Sequence, residues 1–162
     1  MAFLEPVERK RSIFGQAIVF FLWAAVTGFG IYLSPNPHGH GTHEQLGLPP
    51  CPSVLFFNRP CPGCGLTTSW TATIHGHFGD AFRAHPLGPP VYLIFTVMAL
   101  INGWAFLRNL RVNTGTRRWT YGVMAGAVIF FAFGIARFIL TPNYSAPDEI
   151  ANYVKSVSGK GR

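Results

Sequence analysis

Residues 13–33 read IFGQAIVFFLWAAVTGFGIYL, an apolar run without a single charged side chain. As an α-helix with ~1.5 Å of rise per residue it is about 31 Å long, enough to cross the hydrocarbon core of a bilayer. A secretory signal peptide is the competing interpretation, but its apolar part is shorter, about 7–15 residues, and ends in a small-residue cleavage site. We therefore predict a retained membrane-spanning helix.

Two further apolar runs have the length of membrane spans. Residues 87–107 begin with Gly88-Pro89-Pro90, and prolines are tolerated in a first helical turn. Residues 119–140 form the third run, which Thr141-Pro142 ends. Charged residues make up 12% of the chain, against about 25% in soluble domains. The sequence thus predicts an all-α membrane protein with three transmembrane helices.

The basic residues predict an orientation. Residues 1–12 contain Arg9, Lys10 and Arg11, and the short link 108–118 holds four arginines and no acid. The positive-inside rule places both segments in the cytoplasm, and the loop 34–86 and the tail 141–162 outside. The net charge of +7 is not gathered on one stretch, so nucleic acid is not an expected partner.

The tail and the third span carry weaker patterns. In the tail, Ile150, Tyr153, Val154 and Val157 recur at helical spacing, which predicts a short amphipathic helix. In the third span, small residues at helical spacing predict a helix-packing seam; they are Gly122, Gly126 and Gly134. Arg137 lies one turn from the end of this span, where we expect it to snorkel to the interface, the alternative being a buried carboxylate partner.

The loop 34–86 contains every cysteine and every histidine of the chain. Its second half, from Leu66 to His85, predicts one or two short helices, with an apolar stripe of Leu66, Trp70, Ile74 and Phe78 that Gly79 interrupts. Such a stripe packs against the spans or lies on the membrane surface.

Several elements of this loop occur in a recognisable order. Cys61-Pro62-Gly63-Cys64-Gly65-Leu66-Thr67 is followed by Gly79-Asp80-Ala81-Phe82 and then by His85-Pro86-Leu87, with Cys51 upstream. This order resembles a family of small bacterial membrane proteins known as domain of unknown function 2752. The family usually has Arg after the Thr, where this chain has Thr68. The resemblance implies a bacterial cytoplasmic (inner) membrane location and no established activity.

The cysteines allow three kinds of chemistry. Cys51, Cys61 and Cys64 are three of the four ligands of a zinc knuckle, with the fourth expected from His75, His77 or His85. Alternatively, Cys51 forms a structural disulfide with Cys61 or Cys64 and leaves one thiol free, which an oxidising compartment permits. The third possibility is a thiol–disulfide oxidoreductase that uses Cys61 and Cys64, the spacing of dithiol enzymes.

A second group of residues, His38, His40 and His43, is a weak metal- or ligand-binding pattern on a glycine-rich loop. No catalytic constellation is recognisable, and the spans offer only Gln16 and Asn102 as polar residues at their centres. We therefore predict a non-enzymatic accessory or assembly subunit of a membrane complex, with lipid and other membrane proteins or a second copy as partners. Zinc is the expected cofactor, and a metal-handling protein is a further alternative.

Overall fold

The computed structural model describes residues 4–6 and 14–144. The predicted tail helix and the basic residues of the N-terminus lie outside the described residues. Among the described residues, three helices are long and apolar enough to cross a membrane: α1 (Phe14–Tyr32), α5 (Gly88–Leu107) and α6 (Arg117–Leu140). The all-α fold with three transmembrane helices, predicted from the hydropathy pattern, is confirmed.

The segment between α1 and α5, residues 34–86, is here called the cap. It contains a 3-10 helix (Thr42–Leu46) and three short helices: α2 (Pro52–Phe57), α3 (Leu66–Ile74) and α4 (Phe78–Ala84). One or two helices were predicted for its second half, and there are two, but the break is not at Gly79, which lies inside α4. The chain turns instead at Gly76, which has a φ of 79°, a conformation that glycine adopts without strain.

Helices α1 and α5 pack directly on each other. Trp23 Nε1 donates to Thr96 Oγ1 at 3.0 Å, and the hydroxyls of Thr27 and Tyr92 are 3.0 Å apart. Gly103 permits close approach, because a Cβ atom there would lie 2.7 Å from the ring of Phe20. Small residues and interhelical hydrogen bonds replace the hydrophobic effect as the source of helix association in lipid.

Two short strands lie beyond the other ends of α1 and α5. β1 (Leu4–Pro6) pairs antiparallel with β2 (Leu110–Val112). The N-terminal segment and the link between α5 and α6 are therefore on the same side of the protein, as an even number of intervening spans requires. The side chain of Gln16, oriented so that its amide is satisfied, donates to Leu110 O at 3.1 Å and accepts from the Val112 amide at 2.9 Å.

The apolar stripe of α3 packs against α1 and α5. Trp70 donates to Gly88 O at 3.1 Å and stacks on Phe95, with ring centroids 6.4 Å apart. Ile74 fills the space beside Gly30 of α1. The opposite face of α3 is polar yet buried, so the cap has a core in which hydroxyl groups are satisfied within the protein.

Helix α6 stands largely apart from the other two spans. Gly134 is its one buried residue among those described, and a Cβ atom there would lie 2.6 Å from Pro62 Cα of the cap. At Gly122 and Gly126 an added Cβ would meet no described atom of other elements within 4 Å. Of the three glycines predicted to form a packing seam, only Gly134 therefore makes a close contact with the part of the chain that the structure describes.

Candidate metal centre

The cysteines are brought together by two local turns of the cap. Cys51 is the N-cap residue of α2, with Pro52 at the first helical position. Cys61 and Cys64 are joined by a tight turn in which the Cys64 amide donates to Cys61 O at 3.0 Å. A turn of this kind aims both sulfur atoms at one point, which is the geometry of a zinc knuckle.

The three sulfur atoms form one cluster. The Sγ atoms of Cys51, Cys61 and Cys64 all lie within 4.8 Å of one another. All three are free thiols in the structure, Cys64 being 6% exposed and the other two half-buried. Zinc–sulfur bonds are about 2.3 Å long, so a small rotation of these side chains brings all three sulfur atoms within bonding distance of one ion.

Glycine at position 65 is required where the turn enters α3. Gly65 has a φ of 81°, and a Cβ atom there would lie 2.8 Å from Gly39 O and close to Ala84 O. Three segments of the cap thus meet at this backbone position, and an added methyl group would collide with two carbonyl oxygens. The fold therefore requires glycine at the position after the second cysteine.

The thiols influence one another strongly. Hydrogen bonding from the Cys64 thiol, helped by the Cys51 thiol and by backbone amides, lowers the pKa of Cys61 to about 5 although burial opposes it. The pKa of Cys64 is raised, because its proton serves that hydrogen bond and because it is buried. At neutral pH the metal-free cluster therefore contains a thiolate on Cys61 held by a protonated Cys64.

Arg137 links α6 to this cluster, in a way that the sequence did not predict. Its guanidinium donates to Cys64 O at 2.8 Å and to Ala84 O at 2.9 Å. It also donates to the Tyr144 hydroxyl at 3.2 Å, and the Tyr144 amide donates to Asn58 O at 3.0 Å. Among the described residues, the partners of Arg137 are thus not carboxylates but carbonyl groups at the base of the cysteine turn and the Tyr144 hydroxyl. Whether Arg137 also reaches the membrane interface stays a prediction.

A second arginine ties α6 to the cap. Arg59 donates to Phe138 O at 2.9 Å and to Ile139 O at 3.0 Å, two carbonyls in the last turn of α6. Carbonyls at a helix C-terminus have no intrahelical partner, and a cation there is also favoured by the helix dipole. The C-terminal end of α6 is therefore held by Arg59, which lies between Cys51 and Cys61 in the chain.

The structure places the histidines that were expected to supply a fourth ligand away from the cysteine cluster. His75 Nε2 lies 3.1 Å from Gly30 O and 3.0 Å from Leu33 O, which ties the end of α3 to α1. His77 is exposed, and its ring centroid is 6.5 Å from that of His75. His75 therefore serves the contact between the cap and α1, and His77 lies beside it on the surface.

His85 is fully buried beneath the cysteine turn. Its Nε2 lies 3.1 Å from Pro62 O, and its ring packs against Phe130 and Phe133 of α6. Burial lowers its pKa, with the nearby Arg137 acting in the same direction. A neutral ring that donates through Nε2 fits these surroundings. His85 therefore connects the cysteine turn to α6.

The three residues His38, His40 and His43 line two different cavities. His40 and His43 line the same cavity as the cysteines, whereas His38 lines a separate cavity beside α4. His40 Nδ1 is 3.1 Å from His38 O, and His43 Nε2 is 3.2 Å from Pro49 O. No sequence spacing signals this arrangement, since it follows from how residues 38–50 fold over the cysteine turn.

Residues 51–99 match the model of a family described as "Protein of unknown function (DUF2752)". The match contains all three cysteines, α3, α4 and the first part of α5, and it confirms the resemblance drawn from the Cys-Pro-Gly-Cys-Gly segment. No curated protein and no solved structure matches the chain.

Proposed function

We propose that this protein is a non-catalytic accessory or assembly subunit of a membrane complex, whose cap binds one zinc ion through Cys51, Cys61 and Cys64. The observation that carries the proposal is the cluster of three sulfur atoms within 4.8 Å of one another. Thiolates from a Cys-x-x-Cys turn together with one more distant cysteine are a recurrent donor set for zinc.

The position of the cluster supports a structural role for the ion. Arg59, which lies between Cys51 and Cys61, donates to a carbonyl of α6. Arg137 of α6 donates in turn to the carbonyl of Cys64. A zinc ion bound there would lock together the start of α2 and the start of α3. Because α6 meets the other described residues mainly near this end, such a lock would set the direction of the third span.

The surface of α6 supports association with other molecules in the membrane. Large apolar side chains cover most of its length and are exposed, among them Val128, Phe131 and Ile135. Lipid, a second copy of the chain or helices of other subunits would cover such a surface. The polar groups inside the other spans have structural partners, since Asn102 Nδ2 donates to Met98 O at 2.7 Å, so they do not indicate transport.

A thiol–disulfide oxidoreductase is the second candidate, favoured by one observation. The pKa of Cys61 is lowered to about 5, and a stable thiolate beside a second thiol is the reactive arrangement of dithiol enzymes. The sulfur of Cys51 nearby makes metal binding the better-supported function, because a dithiol mechanism needs only two sulfur atoms.

Single Cys→Ser variants separate these functions. We expect Cys51→Ser, Cys61→Ser and Cys64→Ser each to lose the bound zinc and to lower the amount of folded protein in the membrane. Gly63→Ala is the matched control: it changes the same turn, keeps every sulfur, and adds a methyl group with no atom within 4 Å. Normal abundance with loss of dithiol turnover in Cys61→Ser and Cys64→Ser, but not in Cys51→Ser, would support the oxidoreductase instead.

A further inference from the structure

The cysteine cluster opens onto a cavity of about 320 Å³. Its walls include the three cysteines and the apolar side chains of Pro50, Val54 and Leu55. This volume is at the lower end of the range for small-molecule sites, which is about 300–1,000 Å³. Structural zinc sites are closed by four protein ligands, whereas sites with three protein ligands keep one position for water or a substrate.

Two histidines on the cavity wall contact backbone carbonyls, and the carboxylate of Glu44 lies beside the Gly41 backbone. His43 Nε2 lies 3.2 Å from Pro49 O, and the carboxylate of Glu44 lies over Gly41, where an added Cβ would be 2.9 Å from Oε1. His40 contacts His38 O through Nδ1, and its ring lies on Tyr144 with centroids 4.7 Å apart. None of them belongs to the group of ligand atoms around the three sulfurs.

Charge favours a neutral ligand over an anion. A zinc ion with three thiolates carries a net charge of −1, and a fourth anionic donor would raise this to −2 beside apolar walls. An uncompensated charge in such surroundings is costly. The guanidinium of Arg137 is already directed at backbone carbonyls and donates to Cys64 O at 2.8 Å.

We propose that the metal bound by Cys51, Cys61 and Cys64 keeps its fourth position open to this cavity, and that a small molecule with a neutral aromatic nitrogen donor, of the imidazole or pyridine class, binds there. The nitrogen lone pair forms a bond to the metal and a bound water leaves, with no change in oxidation state. The inference rests on the proposed metal site and adds a ligand to it.

Cobalt substitution makes the fourth position visible. The full-length protein in detergent is loaded with Co²⁺ and titrated with imidazole and with 4-phenylimidazole, while the sulfur-to-cobalt and d–d absorption bands are recorded. We expect a saturable shift of the d–d bands with one ligand per cobalt. The phenyl-bearing probe should bind at least tenfold more tightly, since its ring contacts the apolar walls.

Two glycine variants form a matched pair. Gly63 lines the cavity and Gly79 does not, and an added Cβ at either position meets no atom within 4 Å. Gly63→Leu should weaken phenylimidazole binding at least tenfold with the sulfur-to-cobalt band retained, and Gly79→Leu should leave it unchanged. The wild-type titration tests the inference by itself, even if one of the variants does not fold.

The outcomes distinguish a failure of the ligand inference from a failure of the metal site. A cobalt protein with an intact three-sulfur spectrum and no response to either probe would overturn the inference and leave the metal site standing. A shift of the d–d bands with 2-mercaptoethanol, but with neither imidazole nor 4-phenylimidazole, would contradict the argument that charge favours a neutral ligand. Failure to bind one cobalt per chain would overturn the metal site and the inference together.

Discussion

Replacing Arg137 with Met should open the cap around Cys64. The guanidinium donates to two carbonyl oxygens, Cys64 O at 2.8 Å and Ala84 O at 2.9 Å, and these bonds join α6 to both ends of the α3–α4 unit. Methionine has a similar length and no donor, so both carbonyls would lose their charged partner. The segment around Cys64 would then separate from α6 more often.

The size of the effect follows from the two bonds. A hydrogen bond that involves a charged group contributes about 1.5–3 kcal/mol, and the lower end for each carbonyl gives about 3 kcal/mol in total. Since a tenfold change in an equilibrium corresponds to about 1.4 kcal/mol, the open population should rise roughly 150-fold.

Thiol alkylation measures that population. Cys64 is 6% exposed, so reagent reaches it through local opening. The assay uses metal-free protein that keeps all three cysteines, and peptide mass spectrometry follows alkylation of Cys64 separately from that of Cys51 and Cys61. We expect Arg137→Met to accelerate alkylation of Cys64 on the order of 100-fold relative to the parent protein.

Arg83 provides the matched control. Its side chain is 86% exposed, and its ion pair with Asp80 is 3.9 Å long. An exposed pair of this kind contributes little, so Arg83→Met should change the alkylation rate less than about twofold. If Arg137→Met also stays within about threefold of the parent, then Arg137 does not hold the cap, and the account of how α6 is attached is wrong.

Three further predictions concern packing and protonation. Gly65→Ala should lower the thermal unfolding midpoint by several degrees, because a methyl group at positive φ meets two carbonyls, whereas Gly63→Ala should not; equal midpoints would contradict the close approach. Burial lowers the pKa of His85 in the folded protein. Below pH 6.5, the ordinary pKa of histidine, the unfolded chain therefore binds a proton that the folded chain resists, and the free energy of unfolding falls as the pH falls. His85→Gln should reduce the fall in midpoint between pH 7 and pH 5, and an unchanged pH dependence would refute this role. Gly103→Leu should separate α1 from α5 and destabilise the monomer, whereas Gly122→Leu should not, as tested by unfolding in detergent; a large effect at Gly122 would show a packing seam within the chain.

The spans were predictable because hydropathy is a local property of the sequence. The predicted runs 13–33, 87–107 and 119–140 correspond to helices Phe14–Tyr32, Gly88–Leu107 and Arg117–Leu140. The starts and ends differ by at most two residues, since proline and the first charged residue mark where an apolar helix ends. The assignment of the two faces to cytoplasm and exterior stays a prediction.

The site was predictable only in part. Cys61 and Cys64 are related by one turn, so their proximity follows from spacing, and Cys51 was added as the remaining cysteine that could supply a third ligand. The histidines were chosen by their distance along the chain, but that distance does not say which backbone carbonyls they will meet. His75 meets Leu33 O, 42 positions away, and His85 meets Pro62 O, 23 positions away.

Arg137 shows why tertiary contacts escape a reading of the sequence. It lies 73 positions from Cys64 and 53 from Ala84, and a lone arginine near the end of an apolar helix has the pattern of a snorkelling residue. Only the fold shows that backbone carbonyls at the base of the cysteine turn stand opposite it. The polar buried face of α3 is similar, because Thr68 finds its partner in the hydroxyl of Thr42, 2.8 Å away.

The central claim is that the three cysteines hold one metal ion. A native mass spectrum of the protein, extracted in mild detergent without reductant or chelator, tests it most directly. We predict a mass raised by one zinc, less the protons that the metal displaces, on the chain or on an assembly that contains it. A mass lowered by two hydrogens, with no metal, would show a disulfide among Cys51, Cys61 and Cys64 and would contradict the account.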